Sequence, residues 1–254
     1  MTAPNPSSIQ QQRALAIGAL VVLAVLSLLL SGQFVVARAG LTIAGLVLAV
    51  AGVMASGPGG AVAVVAAGLE LLMIARAPWQ VAMLGAMGLL HLVARQKPDL
   101  SSVLVPWGRF LAWPTVGCGA ITPIFLLVWV SWLHPDLSDI VRAVPNLGLP
   151  WLLLGGVVFA VVNSLLEEWV WRGVFQDRLS LLFPGAVAIG LQAASFGLAH
   201  AHGFPRGALG VIGAGVWAVL LGMLRARSRG LLSPFAAHFV ADLTIALLVI
   251  FRLR

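Results

Sequence analysis

Apolar stretches recur along this chain at Ala14–Leu30, Leu41–Ala55, Ala61–Ala75, Trp79–Ala94, Thr115–Leu133, Trp151–Leu166, Phe183–Ala201, Leu209–Leu224 and Leu231–Phe251. A spanning helix needs ~20 mostly apolar residues, and several of these reach that length only with their flanks. Backbone in lipid must satisfy its own hydrogen bonds, which leaves helices or a closed barrel. The runs are too long and too little alternating for barrel strands. The expected fold is all-α, a polytopic transmembrane bundle of eight or nine helices. Only 9% of the 254 residues are charged and 61% are hydrophobic, against roughly 25% charged in soluble domains.

The net charge of +7 comes from fourteen arginines and Lys97. These sit singly between apolar runs, as in short loops that follow the positive-inside rule, so lipid headgroups and no nucleic acid are the expected partners. Assigning Arg172 to a loop, nine basic residues fall on the side of the N-terminus and six on the other, which favours a cytoplasmic N-terminus. The lone Cys118 excludes a disulfide framework within the chain and reads as packing. The run from Ala14 follows a polar Pro/Ser/Gln head and is long for a signal peptide; with Ala37-Arg38-Ala39 as a poor cleavage site, it reads as a retained helix.

Breakers divide the chain. Gly57-Pro58-Gly59-Gly60 reads as a tight turn, Arg95 to Arg109 as a polar loop, and His134-Pro135-Asp136 as the start of another ending near Pro150. Residues 1–13 are then a polar tail, 14–149 N-terminal helices, and 150–254 a C-terminal core.

The chain has eight acidic residues, and two of them, Glu167 and Glu168, stand together at the end of an apolar run. Ionisable groups in a membrane segment usually mark function. Glu168 and Arg172 are four apart with the acid first, the favoured order for a helical ion pair. That pairing leaves Glu167 as the free carboxylate and a candidate general base. Adjacent helical residues point about 100° apart, so the two acids are not expected to face one pocket equally. His238 and Asp242 also share a helical face, and Asp242 is placed to orient the imidazole. His200 ends an apolar stretch before Gly203-Phe204-Pro205.

Three motifs in order, Glu167-Glu168-Trp-Val-Trp-Arg172, Phe196-Gly-Leu-Ala-His200 and His238-Phe-Val-Ala-Asp242, resemble those of the CAAX-protease and bacteriocin-processing (Abi-type) intramembrane proteases. The resemblance runs from about Trp151 to Leu247, with Trp171 where the family has Phe. It implies that Glu167 and His200 activate water, that His238 and Asp242 serve the oxyanion, and that Glu168, Arg172 and Phe196 support them. Asp242 departs from the commoner Asn, and an ionised carboxylate is a poor oxyanion donor.

The implied activity is cleavage of a membrane-anchored protein or peptide: a prenylated or otherwise lipid-linked C-terminus, a leader, or a sorting tail. The implied setting is a multi-pass membrane protein, in the inner membrane if bacterial. No metal is obligatory on this reading. Spacing leaves Zn²⁺ open, with His200, His238 and Asp242 as its ligands and a fourth position for water. The competing readings are a transporter or scaffold using the acids for proton coupling, and an immunity-type protein that binds peptide without cutting it. Convergence of the acids and both histidines on one cavity separates the first of these from a protease.

Other polar residues read more plainly. Glu70 is expected to face the bundle near Arg76. His91, His134 and Asp136 are interfacial or solvated, and His202 is close enough to His200 to serve the site indirectly. Trp107, Trp113, Trp129 and Trp132 fit an interfacial belt, with Trp169 or Trp171 lining the pocket. Simple alternation of spans sets Glu167 and His200 near opposite membrane faces. A shared site therefore requires a long tilted helix from about Pro150 to Leu182, or a re-entrant piece.

Overall fold

A computed structural model describes residues 6–29, 35–55, 57–96 and 106–253. Lys97, Pro98 and Asp99 of the expected polar loop lie outside the described residues, as do the side chains of Ala37, Arg38 and Ala39. The protein is an all-helical, multi-pass membrane bundle. Among the described residues six helices are long and apolar enough to cross a membrane: Pro6–Leu29, Gly57–Ile74, Ala112–Leu133, Leu149–Ser180, Gly207–Ser228 and Leu232–Phe251. Two shorter apolar helices, Gly40–Ala55 and Gly185–Ala199, accompany them.

In chain order the elements are α1 (Pro6–Leu29), α2 (Val35–Ala55), α3 (Gly57–Ile74), α4 (Trp79–Gln96), α5 (Ala112–Leu133), the short α6 (Ser138–Ala143), α7 (Leu149–Glu167), a π-helical stretch (Glu168–Phe175), α8 (Gln176–Ser180), α9 (Gly185–Ala199), α10 (Gly207–Ser228) and α11 (Leu232–Leu248), which ends in a second π-helical turn. The centre of the bundle is α3, whose residues from Gly59 to Glu70 are all buried. It packs against α1, α2 and α4. Gly68 lies against the backbone of Ala86 on α4, where an added Cβ would come within 2.9 Å of Ala86 Cα. Small residues permit this approach in place of a hydrophobic driving force.

Two boundaries differ from the sequence reading. Helix α1 begins at Pro6, so residues 6–13 of the expected polar tail are part of the first helix. The reason is a contact across the fold: Gln12 Oε1 accepts the backbone N–H groups of Gly59 and Gly60 at 2.8 and 3.3 Å. These are orphan donors of the first turn of α3, and Gln12 caps them. Gly57-Pro58-Gly59-Gly60 is therefore the start of α3, with proline at an early position where its missing N–H costs nothing.

The rod Leu149–Ser180 is the element that positions the site. From Glu167 to Ser180 it runs ~20 Å, and α9 returns ~22 Å to His200 at 1.5 Å per residue. The two side chains therefore come back to one level. A long helix followed by a short one removes the difficulty that simple alternation raised, without a re-entrant piece.

Candidate active site

Glu167 closes α7 and Glu168 opens the π-helical stretch. Such i→i+5 insertions are rare and concentrate at functional positions. Glu168 and Arg172 are fully buried and meet at 2.8 Å, Arg172 Nη1 donating to Glu168 Oε1. The guanidinium also lies 4.6 Å over the ring of Phe196. A buried charge without such company would be costly.

His238 changes the picture of the two acids. Its Nδ1 lies 2.7 Å from Glu168 Oε1, and its Nε2 lies 3.5 Å from Glu167 Oε2. The two acids are not placed equally, since Glu167 lines a cavity and Glu168 does not, yet one imidazole reaches both because its nitrogens lie on two edges. The pairing of Nδ1 with a carboxylate makes that nitrogen the donor and leaves Nε2 for chemistry. Asp242 is farther from the ring, 3.9 Å from Nε2. Glu168, not Asp242, orients His238.

His200 follows the last residue of α9. Its Nδ1 donates to Phe196 O at 2.9 Å, since a carbonyl only accepts, and this leaves Nε2 as the open acceptor. Phe196 is the aromatic floor of the site. Its ring centroid lies 4.4 Å from His200, 5.9 Å from His238 and 5.4 Å from Trp171.

Two residues that the sequence reading passed over hold the carboxylates, and a third holds one of these two. Trp79 Nε1 donates to Glu167 Oε1 at 2.8 Å. Asn163 Nδ2 donates to the same oxygen and to Asp242 Oδ2, both at 3.2 Å. Gln80 Nε2 donates to Asn163 Oδ1 at 2.9 Å. A signal for Asn163 was present: it is polar within an apolar run and four residues before Glu167, on the same helical face. Gln80 carried a weaker one, an amide at the head of an apolar stretch. Trp79 carried none, because the interfacial belt explains a tryptophan equally well.

Two cavities meet at this cluster. One of about 300 Å³ has the polar side chains of Gln80, Asn163, Glu167, His200, His202 and Asp242 in its lining, with Trp79 beside them. An apolar one of about 290 Å³ reaches His200, His238 and Asp242 from between α5 and α10, past Ile121, Phe125, Val216 and Trp217. His200, Phe204, Asp242 and Ile245 form walls of both. The four sequence-selected residues Glu167, His200, His238 and Asp242 thus lie together.

Others fall elsewhere. Trp171 is buried behind the site and donates to Ser195 Oγ at 3.1 Å, so Trp79 lines the cavity in its place. Trp129 is buried against Phe204, with ring centroids 5.1 Å apart, whereas Trp107, Trp113 and Trp132 are exposed. Arg172 is withdrawn from the loop charges altogether. Glu70 faces the bundle as expected, but no ion pair joins it to Arg76 among the described residues. Among the described residues no group of three or more His, Cys, Asp or Glu side chains is arranged to hold a metal ion.

Residues 149–244 match a protein family described as Rce1-like, type II CAAX prenyl endopeptidase Rce1-like. The C-terminal segment is similar to that family over 96 of the 254 residues. The match starts at the first residue of α7 and ends two residues beyond Asp242, so it contains all three motifs. Trp79 and Gln80 reach the same site from outside it. No curated protein and no solved structure matches the chain.

Proposed function

We propose that this protein is an intramembrane endopeptidase that hydrolyses a peptide bond with a water activated by Glu167 and His200. The observation that carries this reading is the cavity shared by Glu167, His200 and Asp242, with His238 touching both glutamates. Glu167 Oε1 is held by two donors, while Oε2 accepts no hydrogen bond among the described residues and faces His238 Nε2 at 3.5 Å. His200 offers Nε2 to the same water. The water gives its proton to Glu167, and its oxygen attacks the substrate carbonyl carbon. His238, protonated on both nitrogens between the two carboxylates, is placed to donate from Nε2 to the developing oxyanion while Glu168 holds Nδ1. When the C–N bond breaks, the proton passes to the departing amine, returning Glu167 to its starting state.

The chemistry needs no metal in this form. Asp242, bonded to Asn163, serves the site as a fixed carboxylate beside His238 rather than as a ligand.

The apolar cavity supports a substrate that brings a hydrocarbon chain or an apolar segment to the bond that is cut. A prenylated or otherwise lipid-linked C-terminus fits best, with peptide leaders and C-terminal sorting tails as the other members of the class. The enzyme would act in the membrane where that substrate is anchored, the inner membrane if the source is bacterial. The test is cleavage of a lipidated peptide by purified protein in lipid nanodiscs, wild type against Glu167→Gln. Cleavage lost in the variant supports the reading. Equal cleavage by both, or binding without cleavage by the wild type, overturns it.

A further inference from the structure

Glu167 on α7 and Asp242 on α11 share one cavity wall, at 4% and 3% exposure. Two buried carboxylates near each other repel unless a donor stands between them. The donor here is the amide of Asn163, itself 6% exposed. It gives one hydrogen to Glu167 Oε1 and the other to Asp242 Oδ2, each at 3.2 Å.

An amide has a donor end and an acceptor end. Turned over, Asn163 would aim its oxygen at both carboxylates. Gln80 opposes that flip, because its Nε2 donates to Asn163 Oδ1 at 2.9 Å and would face an NH₂ group instead. A relay therefore runs from Gln80 on α4, through Asn163 on α7, to the two carboxylates. With Oε1 of Glu167 held by Asn163 and Trp79, Oε2 is the oxygen left towards His238, 3.5 Å from its Nε2.

We propose that Asn163 is a positioning residue for the hydrolytic site, its amide bridging Glu167 and Asp242, and that Gln80 sets the direction of that amide. The proposal rests on the protease reading and extends it to residues on two helices, one of them outside the Rce1-like match. It also accounts for the carboxylate at position 242. The cluster needs one amide between two acids, and in this chain the amide stands on α7. Amide and acid should then be exchangeable between positions 163 and 242.

The experiment is steady-state hydrolysis of the lipidated peptide in nanodiscs by wild type, Asn163→Asp, Asp242→Asn, the double exchange, Asn163→Leu and Gln80→Leu. Thermal unfolding is read on each. Asn163→Asp places three acids together, and kcat should fall on the order of 100-fold with KM little changed, as for a displaced reacting group. The double exchange should recover about tenfold or more over Asn163→Asp, the signature of coupled neighbours. Gln80→Leu should lower kcat while leaving the unfolding temperature near that of wild type.

Full kcat in Asn163→Leu overturns the bridging role. So does a double exchange no better than Asn163→Asp. Unchanged kcat in Gln80→Leu overturns the orienting role. If Asn163→Asp does not fold, the Asn163→Leu and Gln80→Leu comparisons decide alone. Wild-type protein indistinguishable from Glu167→Gln overturns the protease reading itself, whereas defects or their absence in the Asn163 series alone bear only on the relay.

Discussion

The two halves of the bundle each bury a glutamate inside apolar helices, and they treat it in opposite ways. In the N-terminal half Glu70 is 1% exposed on α3, and neither carboxyl oxygen has a hydrogen-bond partner among the described residues. Room for it comes from Gly45 on α2, where a Cβ would stand 2.9 Å from Glu70 Oε2. In the C-terminal half Glu167 and Glu168 are equally buried but surrounded by Trp79, Asn163, Arg172 and His238. Burial is common to both halves. What separates a candidate catalytic acid from a tolerated one is the set of donors that fixes one oxygen and leaves the other for chemistry.

The sharpest way to break this comparison is activity. Glu167→Gln removes a general base and should lower kcat by about 10²- to 10⁴-fold. Glu70→Gln, which keeps shape and burial, should leave kcat unchanged. A comparable loss in both would erase the distinction between the halves.

Stability gives the next largest effect. Arg172→Ala leaves Glu168 buried without its cation and should destabilise the protein by about 3–5 kcal/mol, as breaking a buried pair does. Glu70→Leu removes two unsatisfied oxygens, worth about 1–3 kcal/mol of desolvation, and should be neutral or stabilising. Unfolding in detergent read by intrinsic tryptophan fluorescence compares the two. Glu70→Leu as harmful as Arg172→Ala would mean that Glu70 has a partner of its own.

A smaller effect should come from outside the membrane. Arg206 clamps Asp139 of α6 at 3.0 Å, and that hydrogen bond holds the Asp139 carboxyl below its ordinary range. A lowered value in the fold means stability present above the unfolded value near ~3.9 and lost as pH falls through the folded one. The Asp139 side chain is 61% exposed, so the contribution is at most about 1 kcal/mol. Asp139→Asn should lower the unfolding temperature slightly at pH 7 and not at all in strong acid. A deficit that persists in acid would assign the effect to packing of α6.

The last expectation is no effect. Exhaustive chelation should leave hydrolysis intact, because the proposed base acts on water directly. Activity lost on chelation and restored by stoichiometric Zn²⁺ would recast His200, His238 and Asp242 as ligands.

The amino-acid sequence by itself determined the class of fold and the candidate site. Long apolar runs in lipid have only the helix to satisfy their backbone, so the bundle was legible from composition and run length. Glu167, Glu168, His200, His238 and Asp242 were legible because a charge placed in lipid is expensive and therefore conspicuous. The Glu168–Arg172 pair was legible because its spacing is local. Tertiary structure alone decided the rest. That His238 stands between both acids depends on how α11 packs against α7, which no spacing along one helix encodes. Trp79 and Gln80 are ordinary residues until α4 is laid beside α7. Gln12 is an ordinary tail residue until it reaches the N-terminus of α3. Local rules read contacts within one helix turn, whereas the partners of a buried polar group are set by which helices meet, and that is settled by packing small residues over the whole bundle.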